Sequence, residues 1–310
     1  MLEAVPNVSE GRDLAKLSAL VDEVSAIGVD VLDWSADPDH NRAVITLIGD
    51  PSSVEEASLA VARFAIEHID LRSHVGVHPR VGALDVLPFV PLHGLDMADA
   101  VNSAHRVGQQ IADLGVPVFF YGQASEPPGR GLAELRRGGF EGLLNGFPED
   151  RGADLPAAAV GPHPTAGVTC VGARPVLLAW NVFVSGLDLG DAREAAASIR
   201  ERDGGFIGLR ALGLHLPEQN RVQISMNLED PARTPPLAVF DEIERIVVQK
   251  GGRIDETQVI GMIPDTLVLP QTAGRLHLSD SGSARVLSSR VAEHISRRAR
   301  DHEEISDTTE

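Results

Sequence analysis

Residues 176–202 read VLLAWNVFVSGLDLGDAREAAASIRER. A strand-length apolar run at 176–184 is followed at once by helical spacing over 188–202, and Gly204-Gly205 supplies the stop. Toward the C-terminus, residues 209–216 and 221–227 read as a strand pair around a turn at 217–220. A helix over 236–250 and a strand over 258–263 follow. Toward the N-terminus, residues 168–173 form another apolar strand. Before it, residues 123–161 are rich in Gly, Pro and Ala, with a short helix at 132–137. The first part of the chain alternates in the same way. Helices are expected at 13–27, 51–69 and 96–114, with Glu55 and Glu56 suited to the positive end of the second. Strands are expected at 29–33, 43–48, 85–90 and 116–121.

These orders are β-α-β-β-α-β or close to it in both halves, a ferredoxin-like pattern. The expected class is α+β, with two subdomains that each carry a β-sheet with helices on its outer face. We place them at residues 1–176 and 177–300. Residues 301–310, with five acidic side chains, are expected to form a disordered tail.

A length of 310 residues suits two domains. With 43% hydrophobic and 23% charged residues the chain is not a disordered one, and with 4% aromatics its core must rest on Val, Leu, Ile and Ala. Lys and Arg number 27 against 45 Asp and Glu, a formal charge of −18. Such a chain has no counterion-release drive toward nucleic acid or an anionic membrane. Cys170 is the single cysteine, so no intrachain disulfide or CxxC chemistry is available. The start, MLEAVPNVSEGRD, lacks a basic-then-apolar leader, and the longest apolar run is far below the roughly 20 residues of a membrane helix. A cytoplasmic protein is expected.

Three polar clusters could carry chemistry. The densest is SHVGVHPRVG at 73–82. His74 and His78 have helical metal-ligand spacing, but Gly76 and Pro79 favour an extended loop. A neutral His78 beside Arg80 suits a general base, because a neighbouring cation lowers an imidazole pKa. The bland alternative is a histidine bonded to its own loop. The second cluster is DPDHNR at 37–42, between two strands. Asp37, Asp39 and Asn41 suit a turn, and Arg42 could bind a substrate carboxylate bidentately. The third is Gly161, Pro162, His163, Pro164, Thr165, Ala166 and Gly167, where glycines permit close approach of a ligand and prolines stiffen the loop. It has neither a P-loop nor a dinucleotide fingerprint.

In order along the chain stand VPNVSEGRD at 5–13, DPDHNRAVITLIG at 37–49 and HVGVHPRVGALDVLPFVPL at 74–92. GVPVFFYGQA at 115–124, GVTCVGARPVLLAWNV at 167–182 and VQISMNLED at 222–230 follow. Together they resemble the glutamate formiminotransferase family, including the N-terminal part of formiminotransferase-cyclodeaminase. The resemblance implies transfer of a formimino group from N-formimino-L-glutamate to N5 of tetrahydrofolate in histidine degradation, with tetrahydrofolate as co-substrate and no metal. It further implies a homodimer of two-subdomain chains with a folate tunnel between the subdomains. The family's catalytic histidine falls on His78, and its folate-binding segment falls on residues 161–167. Arg80, Arg42, Asn41 and Asp37 are the expected substrate-binding neighbours, with Arg174 a further anion-binding candidate. This chain departs from the animal enzymes in a shorter 161–167 loop, and a family acidic residue falls on Ser35, with Asp37 as its substitute. No cyclodeaminase part is expected.

Three rival readings stand beside this one. The fold could serve a non-catalytic folate or acidic-metabolite binding protein. It could transfer a related one-carbon group, such as that of formylglutamate. A metal-dependent hydrolase would use His74, His78 and Asp37.

Overall fold

Side-chain alternation along the strands sorts the residues of each sheet onto two faces with different tasks. The structure, a computed structural model, describes residues 1–267 and 270–307. It comprises two compact units, Met1–Pro175 with Leu216–Gln219 and Val176–His215 with Asn220–Glu310.

The first unit holds a seven-stranded mixed sheet. Its strands are β1 (Leu2–Ala4), β2 (Asn7–Val8), β3 (Asp30–Asp37), β4 (Arg42–Gly49), β5 (Leu84–Pro91), β6 (Val118–Gly122) and β7 (Thr169–Ala173). The short β1 and β2 each pair antiparallel with both β4 and β5, and β7 runs parallel to β5 and β6. Helices α1 (Leu14–Ala26), α2 (Pro51–His68) and α3 (Met97–Asp113) start at aspartates that accept backbone N–H bonds, Asp13, Asp50 and Asp96. Each such cap is worth about 1 kcal/mol. Glu55 lies beyond the first turn of α2 and instead binds Ser103 and Arg106 of α3.

Leu17, Leu20, Val61, Phe64, Val107 and Ile111 of these helices join one core with Leu2, Ala4, Ile45, Leu47, Phe89 and Val171 of the sheet. The helices therefore share one face. The other face carries none of these three helices, with Val86, Cys170 and Phe119 in one cross-strand row and Pro88, Gly172 and Tyr121 in the next. Leu135 and Leu143 cover part of it from the 123–161 excursion, which includes α4 (Leu132–Leu135).

The second unit runs β8 (Leu178–Ser185), α5 (Leu189–Ile199), β9 (Leu209–Leu216), β10 (Arg221–Leu228), α6 (Pro236–Gln249) and β11 (Arg253–Ile260), with strand order β11-β8-β10-β9. Trp180, Val182, Ile224 and Met226 pack with Ala195, Ile199, Phe240 and Ile243, so both helices lie on one face here too. Asn181, Phe183, Gln223 and Ser225 alternate onto the opposite face. The molecule is thus α+β with two sheets. Helices α7 (Pro270–Arg275) and α8 (Leu287–Asp307) complete it.

The acidic tail differs from expectation. Its backbone continues α8 as far as Asp307, because adding a residue to a formed helix gains a hydrogen bond without repeating the cost of nucleation. The rest of the expected tail, residues 308–310, lies outside the described residues. Among the described residues no helix is long and apolar enough to cross a membrane.

Candidate active site

The β3–β4 hairpin and the 74–82 loop are built against each other. Asp37 stands opposite Arg42 in the hairpin, and its carboxylate accepts the His40 N–H at 2.8 Å, closing the turn. Asn41 takes a left-handed backbone (φ 47°), a conformation asparagine tolerates. Its Oδ1 accepts the Gly11 N–H at 3.0 Å and its Nδ2 donates to Val75 O at 3.1 Å, so one amide ties three segments together. Gly76 passes so near the hairpin that a Cβ there would lie 2.2 Å from His40 O. The motif's first glycine is therefore a close backbone approach.

His74 and Arg80 form a strut. The Arg80 Nε–H donates to His74 Nδ1 at 3.0 Å, which leaves Nε2 as the protonated nitrogen, donating to Asn41 O at 2.8 Å. Arg80 also binds His74 O and holds Glu141 through two 2.8 Å bonds. Its guanidinium, expected to meet substrate carboxylates, is thus engaged within the protein. Burial, and more weakly the Arg80 charge, keep the His74 pKa below its ordinary value despite the bond to Asn41.

His78 has the opposite arrangement. Its Nδ1 lies 2.8 Å from Pro79 O. A carbonyl can only accept, so Nδ1 carries the proton and Nε2 keeps a free lone pair. Burial, then the charges of Arg42 and Arg136, hold the His78 pKa well below the usual imidazole value. His40 lowers it further, and Asp85 opposes. The rings of His40 and His78 are 5.6 Å apart.

The cations belong to a buried triad. Asp85 is fully buried, and its Oδ2 accepts from Arg42 Nη1 at 2.6 Å and from Arg136 Nη2. Its Oδ1 accepts the Val81 N–H at 2.8 Å. Burial alone would raise the Asp85 pKa, but Arg136, Arg42 and the Val81 N–H together hold it far below the carboxylate range. Arg42 also donates to Asn7 Oδ1 at 2.9 and 3.2 Å. Two guanidiniums on one carboxylate leave a surplus positive charge beside His78. A chain of net charge −18 therefore carries a locally basic site.

The 161–167 segment docks on both ends of the 74–82 loop. His163 and Gly167 exchange backbone hydrogen bonds at 2.9 and 3.0 Å, and His163 Nδ1 accepts the Ala166 N–H at 3.0 Å. Thr165 O accepts from Leu71 N, and Ala166 O accepts from Ala83 N. Gly161 and Pro162 lead into this small hairpin half-buried, and Pro164 is exposed at its tip. At Gly167 (φ 71°) a Cβ would lie 2.1 Å from Val81 O. The approach that requires glycine is to the protein's own backbone, where the sequence suggested a ligand.

The structure thus brings His78, Arg80, Asp37, Asn41, Arg42 and residues 161–167 into one unit. Sequence reasoning passed over Asp85, Arg136, Asn7 and Glu141. Asp85 and Asn7 lay within the quoted motifs and had a signal. Arg136 and Glu141 come from the Gly-rich excursion and had none. Cys170 is buried in β7 with its thiol pushed up to about 12 by burial, so it is no nucleophile. Among the described residues no group of three His, Cys, Asp or Glu side chains could hold a metal ion, so His74, His78 and Asp37 do not form a ligand set.

Comparison with known proteins gives the same grouping. Residues 1–174 match the family model described as formiminotransferase domain, N-terminal subdomain, and residues 179–293 match that described as formiminotransferase domain. The chain is 36% identical over 284 residues to a glutamate formimidoyltransferase of Streptococcus pyogenes, covering 90% of this chain and 94% of that protein. It is 33% identical over 297 residues to a glutamate formimidoyltransferase of Thermoplasma acidophilum, covering 94% and 97%. It is also 36% identical over 288 residues to a formimidoyltransferase-cyclodeaminase of Sus scrofa, covering 88% of this chain and 52% of the longer protein. The fold, the motif loop and these matches agree: the chain belongs to the formiminotransferase family.

Proposed function

We propose that this chain is a glutamate formimidoyltransferase, moving the formimino group of N-formimino-L-glutamate to N5 of tetrahydrofolate. The observation that carries the reading is the unprotonated Nε2 of His78 beside a surplus buried cation. A secondary amine that attacks the formimino carbon must lose a proton, and the departing glutamate nitrogen must gain one. His78 takes the first at Nε2 and delivers it to the second. Its Nδ1–H bond to Pro79 O holds the tautomer, and Arg80 acts by fixing the loop through His74. Burial, and then the charges of Arg42 and Arg136, keep His78 neutral, and the Arg42–Asp85–Arg136 cluster gives the anionic substrates a favourable field. A non-catalytic binder would need no base kept unprotonated in this way.

The ferredoxin-like arrangement belongs to the same reading, supported in the second unit by its element order and by strand order β11-β8-β10-β9. So do the folate tunnel, the subdomain limits at residues 1–176 and 177–300, and a cytoplasmic homodimer. The 161–167 segment is proposed to flank the acceptor.

The test is to mix purified protein with tetrahydrofolate and N-formimino-L-glutamate and follow free glutamate. We expect release that requires the acceptor. Acceptor binding without release would point to another one-carbon donor or to a binding protein. Release without tetrahydrofolate would mean hydrolysis.

The same assay gives a pH prediction. Protonation of His78 removes the base, so kcat/KM falls as pH drops through its pKa, which lies well below 6.5. Arg136→Met removes one of the charges that lower it, so the pKa rises and the acidic limb moves toward pH 6.5. An acidic limb that stays where it is would show that Arg136 does not tune the base.

A further inference from the structure

Arg151 is a buried cation, 4% exposed, in the Gly-rich excursion between β6 and β7, and no step of the transfer chemistry uses it. Its Nη1 donates to three main-chain carbonyls, Glu134 O at 3.2 Å, Leu135 O at 2.8 Å and Arg137 O at 2.6 Å. That nitrogen carries two hydrogens, so the three oxygens share them. The residue these carbonyls enclose is Arg136, whose guanidinium meets Asp85.

The segment that carries Arg136 cannot hold its own shape. Helix α4 is a single turn of four residues, too short to stand on its internal hydrogen bonds. Gly138 (φ 84°) and Gly139 (φ 65°) follow directly, and glycine loses more freedom on ordering than any other residue. The last carbonyls of a helix lack internal partners, and an arginine side chain suits them. A second tie, Arg137 with Asp150, joins the same two stretches, but each of its side chains is 61% exposed. Exposed pairs of this kind contribute little. Arg151 is therefore the tie that fixes the backbone from which Arg136 projects.

We propose that Arg151 is a positioning residue for the transfer: by gathering the carbonyls on both sides of Arg136 it keeps that guanidinium on Asp85, beside His78. The proposal rests on the formimidoyl-transfer reading, in which His78 must stay unprotonated. The charged and titratable groups that act on His78 are Arg42 of β4, Arg136, His40 of the hairpin turn and Asp85 of β5. Arg42 is tied inside the sheet to Asn7 as well as to Asp85, whereas Arg136 depends on how the excursion is held. Without Arg151, Arg136 is free to leave Asp85. A cation is then lost beside His78 and the anion is less fully neutralised, and both changes favour protonation of the imidazole.

NMR of histidine labelled with ¹³C at Cε1, titrated in the unliganded protein, reads the protonation of His78 directly, with His78→Ala identifying its signal. Arg151→Met and Arg136→Met should raise the midpoint by the same amount, and the two together no further than either alone. Arg151→Lys should keep the wild-type midpoint, because all three bonds come from one nitrogen and an ammonium supplies three N–H donors. Asp150→Ala, which removes the exposed pair, should also leave it in place. The acidic limb of kcat/KM should move with the midpoint. A role confined to stability would lower the melting temperature of Arg151→Met and leave the His78 midpoint alone. An unmoved midpoint in folded Arg151→Met or in Arg136→Met, or shifts that add in the double variant, overturns the positioning role. Arg151→Gln, polar and uncharged, takes the same place in the comparison if Arg151→Met does not fold. The titration needs no turnover, so a wild type that releases no glutamate strikes the transferase reading while the midpoints still decide whether Arg151 places Arg136.

Discussion

His78→Ala should lower kcat for glutamate release by about 10²- to 10⁴-fold, the range for losing a positioned general base. The KM values should change little, because an alanine there removes a proton carrier and no cation. Stability should also be nearly unchanged. The side chain's hydrogen bond is to the carbonyl of the next residue, and the loop is held by Asn41, His74, Arg80 and Gly76. Added imidazole should restore part of the rate to the variant, since the space vacated can admit a small base. Steady-state kinetics at neutral pH with a melting control make the measurement. A folded variant retaining more than about a tenth of wild-type kcat would move the base elsewhere.

The sequence marked this histidine, and physical reasons explain which neighbours it could and could not mark. Pro79 forces an extended loop, which the sequence states openly, and Gly76 announces a close approach without saying to what. Alternation of apolar residues placed most strands and helices, since the helix-covered face needs a continuous apolar surface. The strands β1, of three residues, and β2, of two, are too short for such a pattern, yet they are central to the sheet and carry Glu3 and Asn7 respectively. Arg80 followed the motif histidine and suggested a substrate ligand. In the structure its guanidinium pairs with Glu141, some sixty positions away along the chain, and no local pattern reports such a pairing. Arg136 is hidden for the same reason.

The triad beneath His78 leads to the second large effect. Asp85→Asn should cost about 3–5 kcal/mol of stability, the range for breaking a buried ion pair by removing one partner. The amide keeps the size of the side chain but not its charge. Arg42 is itself buried and Arg136 nearly so, and both would then face each other without an anion. For a unit of this size the melting temperature should fall by roughly 6–20 °C. Removing the second guanidinium should reverse part of the loss. In Asp85→Asn with Arg136→Met, one buried cation remains beside Asn7, against two in the single variant. The double variant should therefore be more stable than the sum of the two single effects, a coupling expected between residues in direct contact. Denaturant melts of the four proteins close the cycle. Strict additivity would show that Arg136 does not depend on Asp85 as its counter-charge.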